Sequence, residues 1–197
     1  MEPNISAQAS WMRIAQKARI PAGTALGIIF LLFMHPSFRS LVIGGVFMIV
    51  GALMRIWAAG HIEKRVRLAR SGPYAYTRNP LYFGSFLMAF GVILAGQGYW
   101  LLPLFALFFV GVYLPVMRAE EQYLESTYGD DFREHVRVTP LFFPKPWATK
   151  KKNTNEPVTL FSWSRVRKNR EHRNLVSLLA VEGILILLYL YQRSFLF

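Results

Sequence analysis

No cysteine occurs among the 197 residues, which excludes disulfides, thiolate nucleophiles and cysteine-ligated metals and leaves the redox compartment unreadable. Charge is also scarce. Only 17% of residues are charged, against about a quarter in an ordinary soluble domain, while 53% are hydrophobic and the mean hydropathy is +0.28. That balance points to a membrane protein. Acidic residues number 11 against 23 lysines and arginines, a net charge of +12. No nucleic-acid recognition module accompanies the excess, so the basic residues are read through membrane topology and not as a nucleic-acid surface. The four histidines, at 35, 61, 135 and 172, are scattered, and a metal site has little support. No internal repeat is evident. The first apolar segment is followed by His35-Pro36-Ser37-Phe38 with no small-residue cleavage pattern, so it reads as an uncleaved helix and not a signal peptide.

What is present is a set of apolar runs. Spans are expected at 18–34, 41–59, 80–95, 100–117 and 175–191, each near the roughly 17 to 20 residues that cross a bilayer. Asn79-Pro80 opens the third, since proline suits a first helical turn. Gly96-Gln97-Gly98-Tyr99-Trp100 joins the third and fourth as a tight hairpin. The expected fold is all-α: one polytopic integral membrane bundle of about five helices, with 118–173 forming a helix and a basic surface segment on the cytoplasmic side. Lys17, Arg67, Arg70, Arg78, Lys145 and Lys151 typify loops on one side, whereas the other side offers little beyond Arg39. The positive-inside rule then places the N-terminus in the cytoplasm. These cations can also hold anionic lipid headgroups. Within the basic segment, the amphipathic run 158–166 is expected to lie half ordered along the membrane surface.

Three places carry chemistry. The stretch Gly72-Pro73-Tyr74-Ala75-Tyr76-Thr77-Arg78-Asn79-Pro80-Leu81-Tyr82-Phe83-Gly84 puts turn formers, aromatics and a cation at the mouth of an apolar helix. Arg78 is a planar fork for a carboxylate or phosphate, Asn79 offers a donor and an acceptor, and the amides after Pro80 favour an anion. An interfacial anchor belt of the same residues is an equal alternative. The second place is Glu120-Glu121, on a helical continuation of the fourth span. There Glu121 and Glu125 share a face with Arg118 nearby, and Glu120 points about 100° away. A carboxylate here suits a ligand ammonium, although a solvated helix extension is the commoner meaning of such a run. The third is Arg55, close to the end of the second span, where snorkelling to the cytoplasm is favoured over a polar cavity.

Arg55-Ile56-Trp57, Gly60-His61, Gly72-Pro73-Tyr74, the run Arg78 to Gly84, Glu120-Glu121 with Leu124, Tyr128-Gly129, Phe132 and the closing Pro140-Leu141-Phe142-Phe143-Pro144 together resemble the isoprenylcysteine carboxyl methyltransferase family and its relatives, the phospholipid N-methyltransferases. The likeness covers roughly residues 40–147 and leaves the last expected span outside it. It implies an integral membrane enzyme that moves a methyl group from S-adenosylmethionine to a lipid-like or isoprenylcysteine-like acceptor at the cytoplasmic face. By that resemblance Tyr74, Arg78, Asn79, Pro80, Leu81, Tyr82 and Gly84 line a cofactor pocket with Glu120 and Glu121, and Arg55, Arg78 and Glu121 are the catalytic candidates. Asn79 stands where the family usually has histidine, and asparagine hydrogen-bonds without titrating. Methyl transfer needs alignment and shielding more than a metal. A glutamate would hold the methionine ammonium, Arg78 or backbone amides its carboxylate, and Tyr82 or Phe83 the adenine. A carboxylate acceptor would be placed by Arg55 or Arg78; an amine acceptor would hand its proton to a carboxylate or water.

The implied partners are membrane lipids and a lipophilic methyl acceptor. The implied location is the plasma or inner membrane in a bacterium and the endoplasmic reticulum in a eukaryote. Two other classes compete. Membrane sterol reductases carry a related Gly-x-Tyr-x-x-x-Arg-His-Pro-x-Tyr region for NADPH, and a noncatalytic lipid-binding scaffold would explain the basic loops alone.

Overall fold

The computed structural model of the chain describes residues 17, 21, 23–25, 27–28, 30, 33–63, 66–147 and 159–194. Part of the expected first span, 18–34, and all of 148–158 in the basic segment lie outside the described residues. Every regular element among the described residues is helical.

Helix α1 (Phe38–His61) starts at a reciprocal cap: Ser37 accepts from the Ser40 amide, and the Ser40 hydroxyl accepts from the Ser37 amide. The Ser40 hydroxyl also donates to the Ala95 carbonyl at 2.8 Å, which ties α1 to the end of α2 (Pro80–Ala95). These two helices run antiparallel along a glycine seam. Gly44 and Gly51 on α1 are two turns apart and so share a face, as do Gly84 and Gly91 on α2. A Cβ on Gly51 would stand 2.6 Å from the Gly84 carbonyl, and one on Gly91 would stand 2.6 Å from the Gly44 carbonyl. Backbone therefore meets backbone, the close approach that small residues permit between helices in lipid.

Helix α3 (Tyr99–Tyr128) is a 30-residue rod. It contains a π turn at Phe109–Tyr113, just ahead of Pro115. Proline has no amide to give the carbonyl four residues earlier, and a wider turn accommodates that loss. Gly129 stops the rod with φ 52° and ψ −122°, a backbone state that only glycine takes without strain, and α4 (Asp130–Val138) follows. The short α5 (Trp163–Lys168) leads through Arg170, at φ 58°, into α6 (Glu171–Ser194). Helices α1, α3 and α6 are each long and apolar enough to cross a membrane, and α2 is a shorter apolar helix of 16 residues. Their outward faces expose Val46, Leu53, Leu107 and Leu187, which suits contact with lipid tails.

The described part of the basic segment departs from the expected surface-lying, half-ordered run. It is packed onto the end of α1. Asn169 Nδ2 donates to the Ala59 carbonyl at 3.0 Å, and the Gly60 carbonyl accepts from the Ser162 amide at 3.0 Å and from Arg165 Nη1 at 2.8 Å. A helix ending in a membrane must satisfy its last carbonyls, and here the chain itself supplies the donors. Phe161 fills the space beside Gly60 that a Cβ would take.

Candidate functional site

The end of α1, the starts of α2 and α6 and the late turns of α3 all meet at one end of the bundle. The loop that connects α1 to α2 is held there by local chemistry. Gly72 takes φ 60°, and a Cβ on it would sit 2.6 Å from the His61 ring, so only glycine fits beneath that buried histidine. The His61 ring is in turn fixed by a 2.9 Å hydrogen bond between Nδ1 and the Trp57 carbonyl.

Residues 76–79 are zipped to the Pro140–Lys145 strand of chain. The Arg78 amide donates to the Pro140 carbonyl at 2.9 Å and the Lys145 amide to the Tyr76 carbonyl at 3.1 Å. Fully buried Thr77 donates to the Phe142 carbonyl at 2.8 Å, and Asn79 Nδ2 donates to the Leu141 carbonyl at 3.0 Å. Asn79 thus spends a donor on fixing this strap. The strap seats Phe142 among Phe83, Phe86 and Phe109, with ring centroids 5.5, 5.5 and 4.7 Å away.

Above the aromatic wall lies a cavity of about 770 Å³. Its apolar length is formed by residues such as Phe86, Ala89, Phe105 and Phe109, and its polar end by Arg55, Tyr82, Glu120, Asn169, Glu171 and Asn174. Tyr82 donates its hydroxyl to Glu120 Oε1 at 2.7 Å and packs edge-on against Tyr113 at 5.7 Å.

Arg55 does not snorkel. Its Nε and Nη2 donate to Glu171 Oε2 and Oε1 at 3.0 and 2.8 Å, and its Nη1 reaches the Leu81 carbonyl at 3.1 Å and the Ser85 hydroxyl. The Arg55 and Glu171 side chains are only 16% and 5% exposed, so the pair is a buried fork, and a guanidinium with a partner in reach has no reason to climb to the interface.

Of the residues expected from sequence, Arg55, Leu81, Tyr82 and Glu120 line the cavity. The remainder stand around it. Arg78 and Glu121 face each other, Nη1 to Oε1, at 2.9 Å, an ion pair whose angles are not those of a hydrogen bond; Arg118 Nη1 donates to Glu121 Oε2 at 3.2 Å. Burial pulls the Arg78 pKa down from its ordinary value, while Glu121 opposes that shift. Pro80 opens α2, and a Cβ on Gly84 would stand 2.6 Å from Arg55 Cγ, so Gly84 gives Arg55 its room. Glu125 pairs with Arg133 at 2.9 Å on α4, and Phe83 turns to Phe142 and Phe143, away from the role of adenine platform. Tyr74 is buried with a hydroxyl that has no partner. Burial first, then the Glu120 and Glu171 carboxylates, raise its pKa, so it remains a protonated donor.

Sequence reasoning missed Glu171, Asn169, Asn174 and Ser85. The one available signal was a lone acid among Arg170, His172 and Arg173 at the start of an apolar span, where a carboxylate also suits the helix dipole. Among the described residues no group of three or more His, Cys, Asp or Glu is arranged to hold a metal ion.

Beneath the strap, buried His135 has its pKa lowered to about 4, first by burial and then by Arg70, Arg78 and Lys145. An unfolded chain protonates this histidine near pH 6.5 and the folded one resists until about pH 4, so stability is full above 6.5 and falls as pH drops between those values. On the order of 2 kcal/mol should be lost by pH 5. Thermal melts of the detergent-solubilised protein from pH 7 to 5 should show that slope, and His135→Gln should flatten it.

An all-helical bundle of membrane-crossing length, with a polar-ended cavity at the helix mouths, defines a class of membrane-embedded helical proteins. A family model described as phospholipid methyltransferase matches residues 18–131, and the chain belongs to that family. This is a family of membrane methyltransferases; neither a reductase nor a scaffold is favoured. Over 93 residues the chain is 36% identical to a cobalt-zinc-cadmium resistance protein of Cupriavidus metallidurans and 33% identical to a nickel-cobalt-cadmium resistance protein of Alcaligenes xylosoxydans xylosoxydans. Each alignment covers 46% of this chain and 43% of the relative, so the likeness spans less than half of those proteins. No solved structure matches the chain.

Proposed function

We propose that the protein is an S-adenosylmethionine-dependent methyltransferase that modifies a lipophilic acceptor drawn from the bilayer, with the cavity mouth on the cytoplasmic side. The observation that carries this reading is the cavity itself. It joins a carboxylate-bearing polar end to an aromatic and aliphatic length inside a membrane-crossing bundle. The basic residues of the loops at that end support the cytoplasmic placement. Membrane lipids surround the site, and the acceptor tail would enter sideways between helices.

The residues present fit the cofactor. Glu120 lines the cavity, is oriented by Tyr82 and carries the charge an ammonium needs. The unpartnered Tyr74 hydroxyl, outside the cavity lining, is a buried donor kept protonated first by burial and then by Glu120 and Glu171. The faces of Tyr82 and Tyr113 suit a cationic or planar group. When bound, S-adenosylmethionine supplies an electrophilic methyl carbon on a sulfonium. The chain's own work is then to align the acceptor and to shield the reacting groups with the Phe86, Phe105 and Phe109 wall, any proton the acceptor loses passing to water at the polar end. Glu121 and Arg78 act behind this site. Their pairing anchors α3 to the loop that leads into α2, whose first turn carries Tyr82, so they position rather than touch the ligand.

Glu120→Gln should weaken S-adenosylmethionine binding about 10- to 100-fold, the usual worth of a charged hydrogen bond. Isothermal titration on the purified protein measures it. Absence of wild-type affinity, with binding of a nicotinamide cofactor instead, would sink the reading. Methyl-labelled cofactor added to membranes then identifies the acceptor by the species that becomes labelled.

A further inference from the structure

We propose that Glu171, brought into the cavity by α6 from beyond the family-matched residues, is a specificity-determining residue: it occupies the Arg55 guanidinium and so turns carboxylate-bearing acceptors away. The proposal rests on the methyltransferase reading above.

A carboxylate headgroup entering the polar end would need a cation to meet it. Arg55 lines that end and Arg78 stands outside the lining, and each already faces a carboxylate of the chain. Arg55 gives Nε and Nη2 to the two oxygens of Glu171 and Nη1 to the Leu81 carbonyl and Ser85, which uses most of its donor fork. Arg78 is committed to Glu121 at 2.9 Å. Glu171 is itself pinned, since Asn174 Nδ2 donates to its Oε2 at 3.0 Å and its side chain is 5% exposed.

What remains unbalanced is Glu120. The polar end therefore presents two carboxylates to one guanidinium, a field that repels an anionic headgroup and accepts an uncharged or cationic one. The matched family region ends at residue 131, so the residue that decides this balance comes from a part of the chain the family pattern does not describe. Removing the Glu171 charge should erase the preference, because Arg55 would then be a buried cation lacking its counter-ion and free to meet an acid.

Two probes with the same tail separate headgroup charge from hydrophobicity: hexadecylamine and palmitate, titrated into the purified full-length protein in uncharged detergent and followed by tryptophan fluorescence and thermal shift. Wild type should bind the amine about tenfold or more tightly than the acid. Glu171→Gln should bind palmitate about tenfold better than wild type does, and palmitate should raise its melting temperature, since a ligand that replaces the lost partner stabilises the folded state. Adding Arg55→Gln to that variant should erase the gain. Equal probe preference in wild type and Glu171→Gln would overturn the proposal, as would wild type binding palmitate as tightly as the amine. Should Glu171→Gln fold poorly, Asn174→Leu loosens Glu171 without removing it and should shift the preference the same way by a smaller factor; no shift there counts against the proposal. Missing S-adenosylmethionine affinity in wild type would defeat the methyltransferase reading while leaving the headgroup preference to be judged on its own.

Discussion

Gly44→Val is expected to leave no folded protein in detergent, whereas Gly45→Ala, one residue along the same helix, should be tolerated. A Cβ at 44 would fall 2.6 Å from both the Ala95 amide nitrogen and the Ala95 Cβ, and would also meet the Gly91 carbonyl. These are mostly backbone atoms of α2 and cannot rotate aside, so the helices must separate along their whole seam. Gly45 faces elsewhere, with only Glu182 Oε1 at 3.9 Å, an ordinary contact. Overpacking in a compliant core costs about 1 to 3 kcal/mol. A seam of carbonyl against Cα has little compliance, so the loss at Gly44 should be at or above the top of that range. The seam runs into the site, because a Cβ on Gly84 would stand 2.7 Å from the Gly51 carbonyl and 2.6 Å from Arg55 Cγ. Separating α1 from α2 therefore displaces Arg55 as well. Yield after size-exclusion chromatography, with thermal midpoints for the soluble variants, tests the contrast; equal behaviour of Gly44→Val and Gly45→Ala would mean that the helices do not touch as described.

The helices and the loop were legible in the sequence because their causes are local. Apolar runs mark where lipid replaces water, and Gly72-Pro73 with Asn79-Pro80 marks a turn feeding a helix start. Glu120 and Glu121 were visible as a pair, yet their division of labour was not. Each turn of a π segment takes one residue more than an α turn, which rotates everything beyond it by about 100°. The π turn at Phe109–Tyr113 lies between the apolar part of α3 and the two glutamates, so counting 3.6 residues per turn cannot tell which carboxylate reaches the cavity. Only the contacts do: Glu120 meets Tyr82, and Glu121 meets Arg78. The glycines at 44, 51, 84 and 91 were equally open to inspection, and their sevenfold spacing on two helices was the unused sign of the seam. Asn79 reads from sequence as a cofactor-pocket residue in the place of the family's histidine, and its amide donates to the Leu141 carbonyl, a partner 62 residues away that no local pattern announces.

Arg55 and Glu171 are 116 residues apart, and their pairing is the part of the site that sequence could least disclose. Arg55→Met should therefore have a large effect that is easily misread. It removes the partner of a carboxylate that is 5% exposed, and breaking a buried pair from one side costs about 3 to 5 kcal/mol. Loss of activity in that variant alone would say nothing about chemistry, because the fold suffers first. The double variant Arg55→Met/Glu171→Met separates the two. Replacing a whole buried pair with apolar side chains of similar volume is often close to neutral, so most of the stability should return. The double variant still leaves Glu120 unbalanced and has no Arg55 to receive an anion, so hexadecylamine should still bind it more tightly than palmitate, as it does the wild type. Chemical unfolding in detergent gives the coupling between the two positions as a double-mutant cycle. A double variant as unstable as Arg55→Met would show that Arg55 matters to the fold through the Leu81 carbonyl and Ser85, its partners on α2. A double variant that recovers stability but binds palmitate as tightly as hexadecylamine would show that the Glu120 carboxylate alone does not repel an anionic headgroup.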